Sequence, residues 1–261
     1  MSTSPLLVPT DADTFAAALL AARKPGAARA ALPKIMPQSD AAAYQIQDIV
    51  RAKLGPTEGW KVGAAHPTSM PNCSPVLKGG IINAGSSGIL LSIPVPKPTG
   101  IETEIAFRMS RAFPAAKVAP SASDVVAGIG AAHVAMELCA YRLADGPKAP
   151  PLASLADSGI NLGFIIGPEV KGWREIDMQK QIARAWVDNK PAVDMAGGHT
   201  QKDLVALLVW LVGHVVTERG GLAAGAIVAT GSWTGVHWVD HAANVAAEFP
   251  GLGRLEARLT M

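Results

Sequence analysis

Hydrophobic positions along the chain recur with two different periods, and the change of period organises it. Residues 11–23 read as a short amphipathic helix that ends before Pro25-Gly26. A second helix is expected from Asp40, taken as its N-cap, with Tyr44, Ile46, Ile49, Val50 and Leu54 on the apolar face until Gly55-Pro56 stops it. From Gly59 the pattern changes to short apolar runs punctuated by glycine and proline. These predict strands near Trp60–Ala64, Ile89–Pro94, Glu102–Met109, His133–Tyr141, Leu162–Ile166, Ile182–Val187, Ala226–Thr230, Asn244–Phe249 and Leu255–Thr260. Asp188-Asn189-Lys190-Pro191 reads as the turn of a hairpin. One long helix interrupts the strands. Thr200 with Asp203 resembles a capping box, and Leu204, Leu207, Leu208, Leu211, Val212 and Val215 follow at helical spacing up to Gly220-Gly221. Strands and helices do not alternate, which argues against a doubly wound sheet and for an α+β fold. The expected organisation is a helical segment over 1–58 and a β-rich α+β catalytic domain over 59–261, as one continuous unit.

Into these apolar strands the sequence places carboxylates. Glu102 and Glu104 lie in Ile101-Glu102-Thr103-Glu104-Ile105, on one face of a strand and roughly 7 Å apart, with Ile105, Phe107 and Met109 on the other face. Glu137 lies in Ala135-Met136-Glu137-Leu138-Cys139. Side-by-side carboxylates repel, and an unpaired one in an apolar strand is costly to bury. Two readings stand open on the residues alone. A hard divalent cation with oxygen ligands satisfies all three charges, or the charges are structural and paired with Arg108 and Arg142.

Composition narrows the class. The chain has 261 residues, 49% hydrophobic and 17% charged, with a net charge of +2. Lysine and arginine are scattered, which argues against a nucleic-acid or anionic-membrane surface. Cys73 and Cys139 are too few for a disulfide framework and suit a reducing cytosol. The first residues carry no basic region followed by an apolar run, so no signal peptide is read. The longest apolar stretch, Leu204 to Val216, is shorter than the ~20 residues of a spanning helix.

Other groups suit chemistry on a small anion. Lys61 lies in Gly59-Trp60-Lys61-Val62-Gly63, opposite in direction to Trp60 and Val62. Partly buried, it has a lowered pKa and moves protons or holds an anion; on an edge strand it is a surface lysine. The turn Thr230-Gly231-Ser232-Trp233-Thr234-Gly235 suits a carboxylate through backbone N–H groups and the Thr230 and Ser232 hydroxyls, and is equally a tight loop. Asp157 reads as a turn residue or an outer partner of a metal. The six histidines show no zinc spacing, and His66, five residues after Lys61, is the one singled out. Serine-hydrolase, phosphate-loop and dinucleotide motifs are absent.

Taken in order, Gly59-Trp60-Lys61-Val62-Gly63, Ile101-Glu102-Thr103-Glu104-Ile105-Ala106-Phe107, Ala135-Met136-Glu137-Leu138, Leu155-Ala156-Asp157-Ser158 and Ile227 to Gly235 resemble the fumarylacetoacetate hydrolase superfamily. Specifically, they resemble its 2-keto-4-pentenoate hydratase and 4-oxalocrotonate decarboxylase branch. The resemblance implies a mixed β-roll core and Mg²⁺ or Mn²⁺ on Glu102, Glu104 and Glu137. It further implies Lys61, with Asp157, in an active site for a 2-oxo acid, and a cytoplasmic homo-oligomer. Hydration of a 2-oxo-4-enoate is the expected reaction, with decarboxylation of a 2-oxo-enedioate, C–C hydrolysis of an acylpyruvate, or a non-catalytic metal-stabilised subunit as alternatives. One departure bears on this: no Asp or Glu occurs between Glu58 and Glu102, where hydratases of the branch carry an acid, and His66 is the expected substitute.

Overall fold

A computed structural model describes residues 6–84, 90–177 and 180–261. Its helices are α1 (Pro9–Ala22), α2 (Asp40–Leu54), α3 (Ala122–Ala127), α4 (Pro151–Ala156) and α5 (Leu204–Glu218). The strands up to the long helix are β1 (Thr57–Gly63), β2 (Asn72–Leu77), β3 (Ile81–Asn83), β4 (Leu91–Pro94), β5 (Thr99–Met109), β6 (Phe113–Pro114), β7 (Ile129–Cys139), β8 (Asn161–Glu169), β9 (Ile182–Val187) and β10 (Lys190–Ala196). After it come β11 (Gly221–Leu222), β12 (Ile227–Ser232), β13 (His237–Val239), β14 (Ala243–Phe249) and β15 (Gly253–Thr260).

The strands form an 8-stranded sheet in the order β2-β1-β12-β5-β7-β8-β3, with β13 beside β5, a 5-stranded sheet β10-β9-β14-β15-β4, and a small β11-β6 pair. Alternation sets what each face of the large sheet does. Ile101, Ile105, Phe107 and Met109 of β5, with Trp60 and Val62 of β1, point into the main core against β14, β15 and α5. The other face carries Glu102, Glu104 and Lys61 above small residues, Ala106, Ala135 and Ala229, which pack with Phe164 and Ile227 in a separate cluster. Small side chains there let the strands curl around the charged groups. Gly59 serves the same closeness, because a Cβ on it would lie 2.5 Å from the Ile227 carbonyl oxygen of β12.

The α+β architecture expected from the pattern is present, and β9 has the expected bounds. Asp188 and Asn189 form the expected hairpin turn, both at positive φ (48° and 63°). The expected strand starting at Ile89 begins outside the described residues, and its described part is β4. Two caps differ from expectation. Ser39, not Asp40, caps α2, its side chain accepting from the Ala42 N–H. Asp203 caps α5 by itself, accepting from Val205 and Ala206 N–H, while the Thr200 hydroxyl donates away to the Ala64 carbonyl. Among the described residues no helix is long and apolar enough to cross a membrane.

Candidate active site

Strand register brings the charged residues together. Glu102 of β5 lies directly opposite Glu137 of β7. Cys139 of β7 is opposite Asn161 of β8, and Ser232 of β12 is opposite Glu104. Lys61 of β1 is opposite Ala229, which is opposite Ala106 on the glutamate face of β5. Lys61 and Glu137 are thus three strand steps apart, about 14 Å across a flat sheet. Their side chains nevertheless meet: Lys61 Nζ donates to Glu137 Oε1 at 2.6 Å. The curl of the sheet closes the difference.

Glu137 is fully buried, and its two oxygens have different lots. Oε1 accepts from Lys61 and from Asn161 Nδ2 (2.8 Å), whereas Oε2 is buried with no hydrogen-bond partner. Glu104 is buried beside it and accepts from the Gly231 N–H at 3.1 Å through Oε2. Burial, with the charge of Glu137, pushes Glu102 up to about 7 and Glu104 well above the carboxylate range. Ser232 Oγ is buried within reach of Glu102 without closing a hydrogen bond. Lys61 is one-fifth exposed; its Nζ also donates to the Gly159 carbonyl at 3.1 Å. Burial acts to lower its pKa, but Glu137, Glu102 and Glu104 outweigh it and hold the ammonium above its ordinary value, contrary to the lowered pKa expected from sequence.

These groups fit a divalent cation. One ligating atom each from Glu102, Glu137 and Cys139 lies within 4.8 Å of the others, and Glu104 faces both glutamates. The unpartnered Glu137 Oε2 is the strongest sign, since a buried carboxylate oxygen without a donor is otherwise costly. Cys139 is the poor ligand of the set. Its buried thiol is held well above its usual pKa and donates to Glu102 Oε2 at 3.6 Å, and a neutral thiol does not suit a hard cation.

The remaining sequence candidates fall elsewhere. Asp157 is buried, but its carboxylate accepts from the Arg142 N–H and guanidinium, the latter at 3.0 Å. Arg142 and Arg108, considered as partners of Glu137, pair with Asp157 and Asn83 instead. The Thr230 hydroxyl is used inside the sheet, donating to the Ile105 carbonyl at 2.8 Å. His66 is exposed in the loop after β1, where its carbonyl accepts from Gln201 Nε2. The histidine beside the Gly231 turn is His199. Its Nε2 lies 2.8 Å from the Thr230 carbonyl, its Nδ1 accepts from the Gln201 N–H, and burial lowers its pKa, as befits a neutral ring.

Sequence reasoning passed over Asn161, Cys139, His199 and Tyr141. Tyr141 stacks on Trp238 at 4.9 Å, and burial together with the charges of Cys139 and Glu102 raises its hydroxyl pKa. Nothing in the sequence marks Asn161, which is at the site only because of register with Cys139. Cys139 does carry a signal, since it follows Glu137 at the same-face spacing of two.

Comparison with known proteins adds to this geometry. The profile described as fumarylacetoacetate (FAA) hydrolase C-terminal matches residues 78–260. No curated protein matches the sequence. Among solved structures, 4-oxalocrotonate decarboxylase from Pseudomonas putida, complexed with magnesium and adipate, is similar with TM-score 0.76 at 18% identity, covering 98% of this chain and 100% of that chain. Its complex with calcium and acetate gives TM-score 0.75 at 17% identity, covering 97% and 99%. Fumarylpyruvate hydrolase from Pseudomonas aeruginosa, in complex with Mn²⁺ and pyruvate, is similar over 77% of this chain and 88% of that one, with TM-score 0.55 at 15% identity.

Proposed function

The chain belongs to the fumarylacetoacetate hydrolase family, and from that premise we propose that it is a divalent-metal-dependent lyase that decarboxylates a 2-oxo-enedioate. Glu102, Glu104 and Glu137 would hold Mg²⁺ or Mn²⁺. When bound, such a cation supplies a Lewis acid that draws electron density from the 2-oxo group of the substrate. The observation that carries the reading is the Glu137 carboxylate, with one oxygen fixed by Lys61 and Asn161 and the other without an N–H donor beside the crowded Glu102 and Glu104 carboxyls. Solved structures of similar fold are complexed with magnesium and adipate, and with Mn²⁺ and pyruvate.

The protein groups then divide the work. Asn161 and Lys61 hold Glu137 in one orientation, and the Gly231 N–H does the same for Glu104. The apolar floor of Ala106, Ala135 and Ala229 excludes water beneath them. Loss of carbon dioxide leaves the bonding pair on the conjugated chain, and one proton must be returned to carbon. Lys61 Nζ, an ammonium with one side toward Glu137 and some solvent access, is the group placed to return it. Hydration would also need a base to take a proton from water. Asp157 is committed to Arg142 and the His66 side chain is exposed, which supports decarboxylation over hydration. This moves the reading from hydration to decarboxylation.

The test offers purified protein with Mg²⁺ two substrates, 2-oxohex-3-enedioate and 2-hydroxypenta-2,4-dienoate, following absorbance and carbon dioxide. Consumption of the first with stoichiometric carbon dioxide is expected. Consumption of the second without it would replace decarboxylation by hydration, and no turnover of either would remove the lyase reading.

A further inference from the structure

A cavity of about 820 Å³ lies beyond the carboxyl ends of β7 and α1, and Lys61 and the three glutamates are not among the residues that line it. Its charged lining is of one sign: Arg23, Lys24, Arg29, Lys78, Lys97 and Arg142. Among the described residues no carboxylate comes within ion-pair distance of Lys24, Arg29, Lys78 or Lys97. Asp157, buried behind the wall, is taken up by Arg142 at 3.0 Å, and Asp240 acts on Lys97 only from beyond ion-pair distance. Like charges around a concavity with low-dielectric walls repel one another and raise a strong positive potential inside it.

Arg23 shows the deficit most directly. Its Nη2 is 3.7 Å from Asp157, too far to hydrogen-bond, and its Nε and Nη2 are buried without an acceptor. Burial and the neighbouring Arg142 charge push its pKa down to about 9, although Asp157 opposes them. Buried guanidinium N–H groups without acceptors cost free energy that an anion would return. Arg29 is exposed, with its guanidinium carbon 5.8 Å from the centroid of the Tyr141 ring. Leu77 and Leu162 supply apolar wall between the charges. The volume is that of a small-molecule site.

We propose that this cavity is a second ligand site, which binds a compact organic or inorganic anion carrying two or more negative charges. The proposal does not depend on the reaction assigned above. Its location also follows from alternation: Asn161 turns its side chain to Glu137, and the next residue, Leu162, lines the cavity. The cavity thus backs onto the glutamate cluster without sharing its ligands.

Pyrophosphate is the probe, titrated calorimetrically into metal-free full-length protein at fixed ionic strength, with citrate as a second, carbon-based anion. Saturable binding of one anion per chain is expected. The double variant Arg29→Gln, Lys97→Gln removes two unpaired cations without touching the Arg142–Asp157 pair, and should weaken binding at least tenfold, roughly one charge-assisted hydrogen bond. Glu137→Ala should bind as wild type does. Absence of saturable binding, equal affinity in the double variant, or loss of binding in Glu137→Ala would each overturn the proposal, the last by placing the anion at the glutamates. A thermal melt of the double variant checks that weakened binding is not unfolding; if it melts well below wild type, the single variants Lys24→Gln and Lys78→Gln replace it, and undiminished affinity in both would count against the cavity.

Discussion

Buried carboxylates as close as Glu102, Glu104 and Glu137 do not all stay ionised without a cation, and this gives the metal-free protein a pH signature. Glu102 titrates at about 7 rather than at 4.5, so the folded protein binds more protons than the unfolded chain between these values. Stability from this group therefore falls as pH rises through that interval, and Glu104 acts in the same direction. Thermal melts of metal-stripped protein should show the melting temperature dropping from about pH 4.5 to about pH 7, less so in Glu102→Gln, and Mg²⁺ should flatten the drop. A metal-free protein with no slope there would count against the crowded cluster. Lys61→Met removes the partner of Glu137 Oε1 and the proposed proton donor, so kcat should fall by roughly 10²-fold or more. His66→Asn should leave kcat close to wild type, because the side chain is exposed. The glutamates were legible as residues out of place in apolar strands. Their partners were not: Lys61 meets Glu137 across 76 positions of sequence, through a sheet curvature that no local pattern encodes.

At the scale of elements, the turn after α4 has the most unusual backbone. Ser158, Gly159 and Ile160 all have positive φ (56°, 56° and 62°), which for a β-branched residue is a real cost. Arg142 holds the turn from both ends, donating to the Asp157 and Asn161 carbonyls and to the Asp157 carboxylate. What the turn delivers is the Gly159 carbonyl to Lys61 Nζ and the Asn161 amide to Glu137. Arg142→Met leaves the buried Asp157 with the backbone N–H of position 142 and the distant Arg23 but no paired charge, and should cost about 3–5 kcal/mol in denaturant melts. Arg142→Lys keeps the charge but not the fork, and should recover only part of it. If both variants melt as wild type does, the clamp carries no load. Asp203→Ala should cost about 1 kcal/mol by removing the sole cap of α5. Long elements such as α2, α5 and β5 were legible from period and punctuation. The short ones were not: α3 and α4 span 6 residues each, too few to show a helical period. β2 was hidden by Pro75, which a strand tolerates only because β2 is the edge of its sheet.

For the molecule as a whole, the division of the large sheet into a core face and a charged face explains why one fold positions both stability and chemistry. The core face packs on the 5-stranded sheet and α5, and the other face curls around Lys61 and the glutamates. That the chain is α+β with few helices followed from its pattern; that its sheets are ordered β2-β1-β12-β5-β7-β8-β3 did not, because neighbours such as β1 and β12 are far apart in sequence and nothing local pairs them. The central claim is that this curled face is a divalent-metal centre. Titration of Mn²⁺ into metal-stripped protein, with free Mn²⁺ read by its electron paramagnetic resonance signal, tests it most directly. One Mn²⁺ per chain should bind, Mg²⁺ should displace it, and Glu102→Gln and Glu137→Gln should each weaken it by about 10²-fold or more. Mn²⁺ bound with undiminished affinity in both variants, or not bound by wild type at all, would contradict the claim.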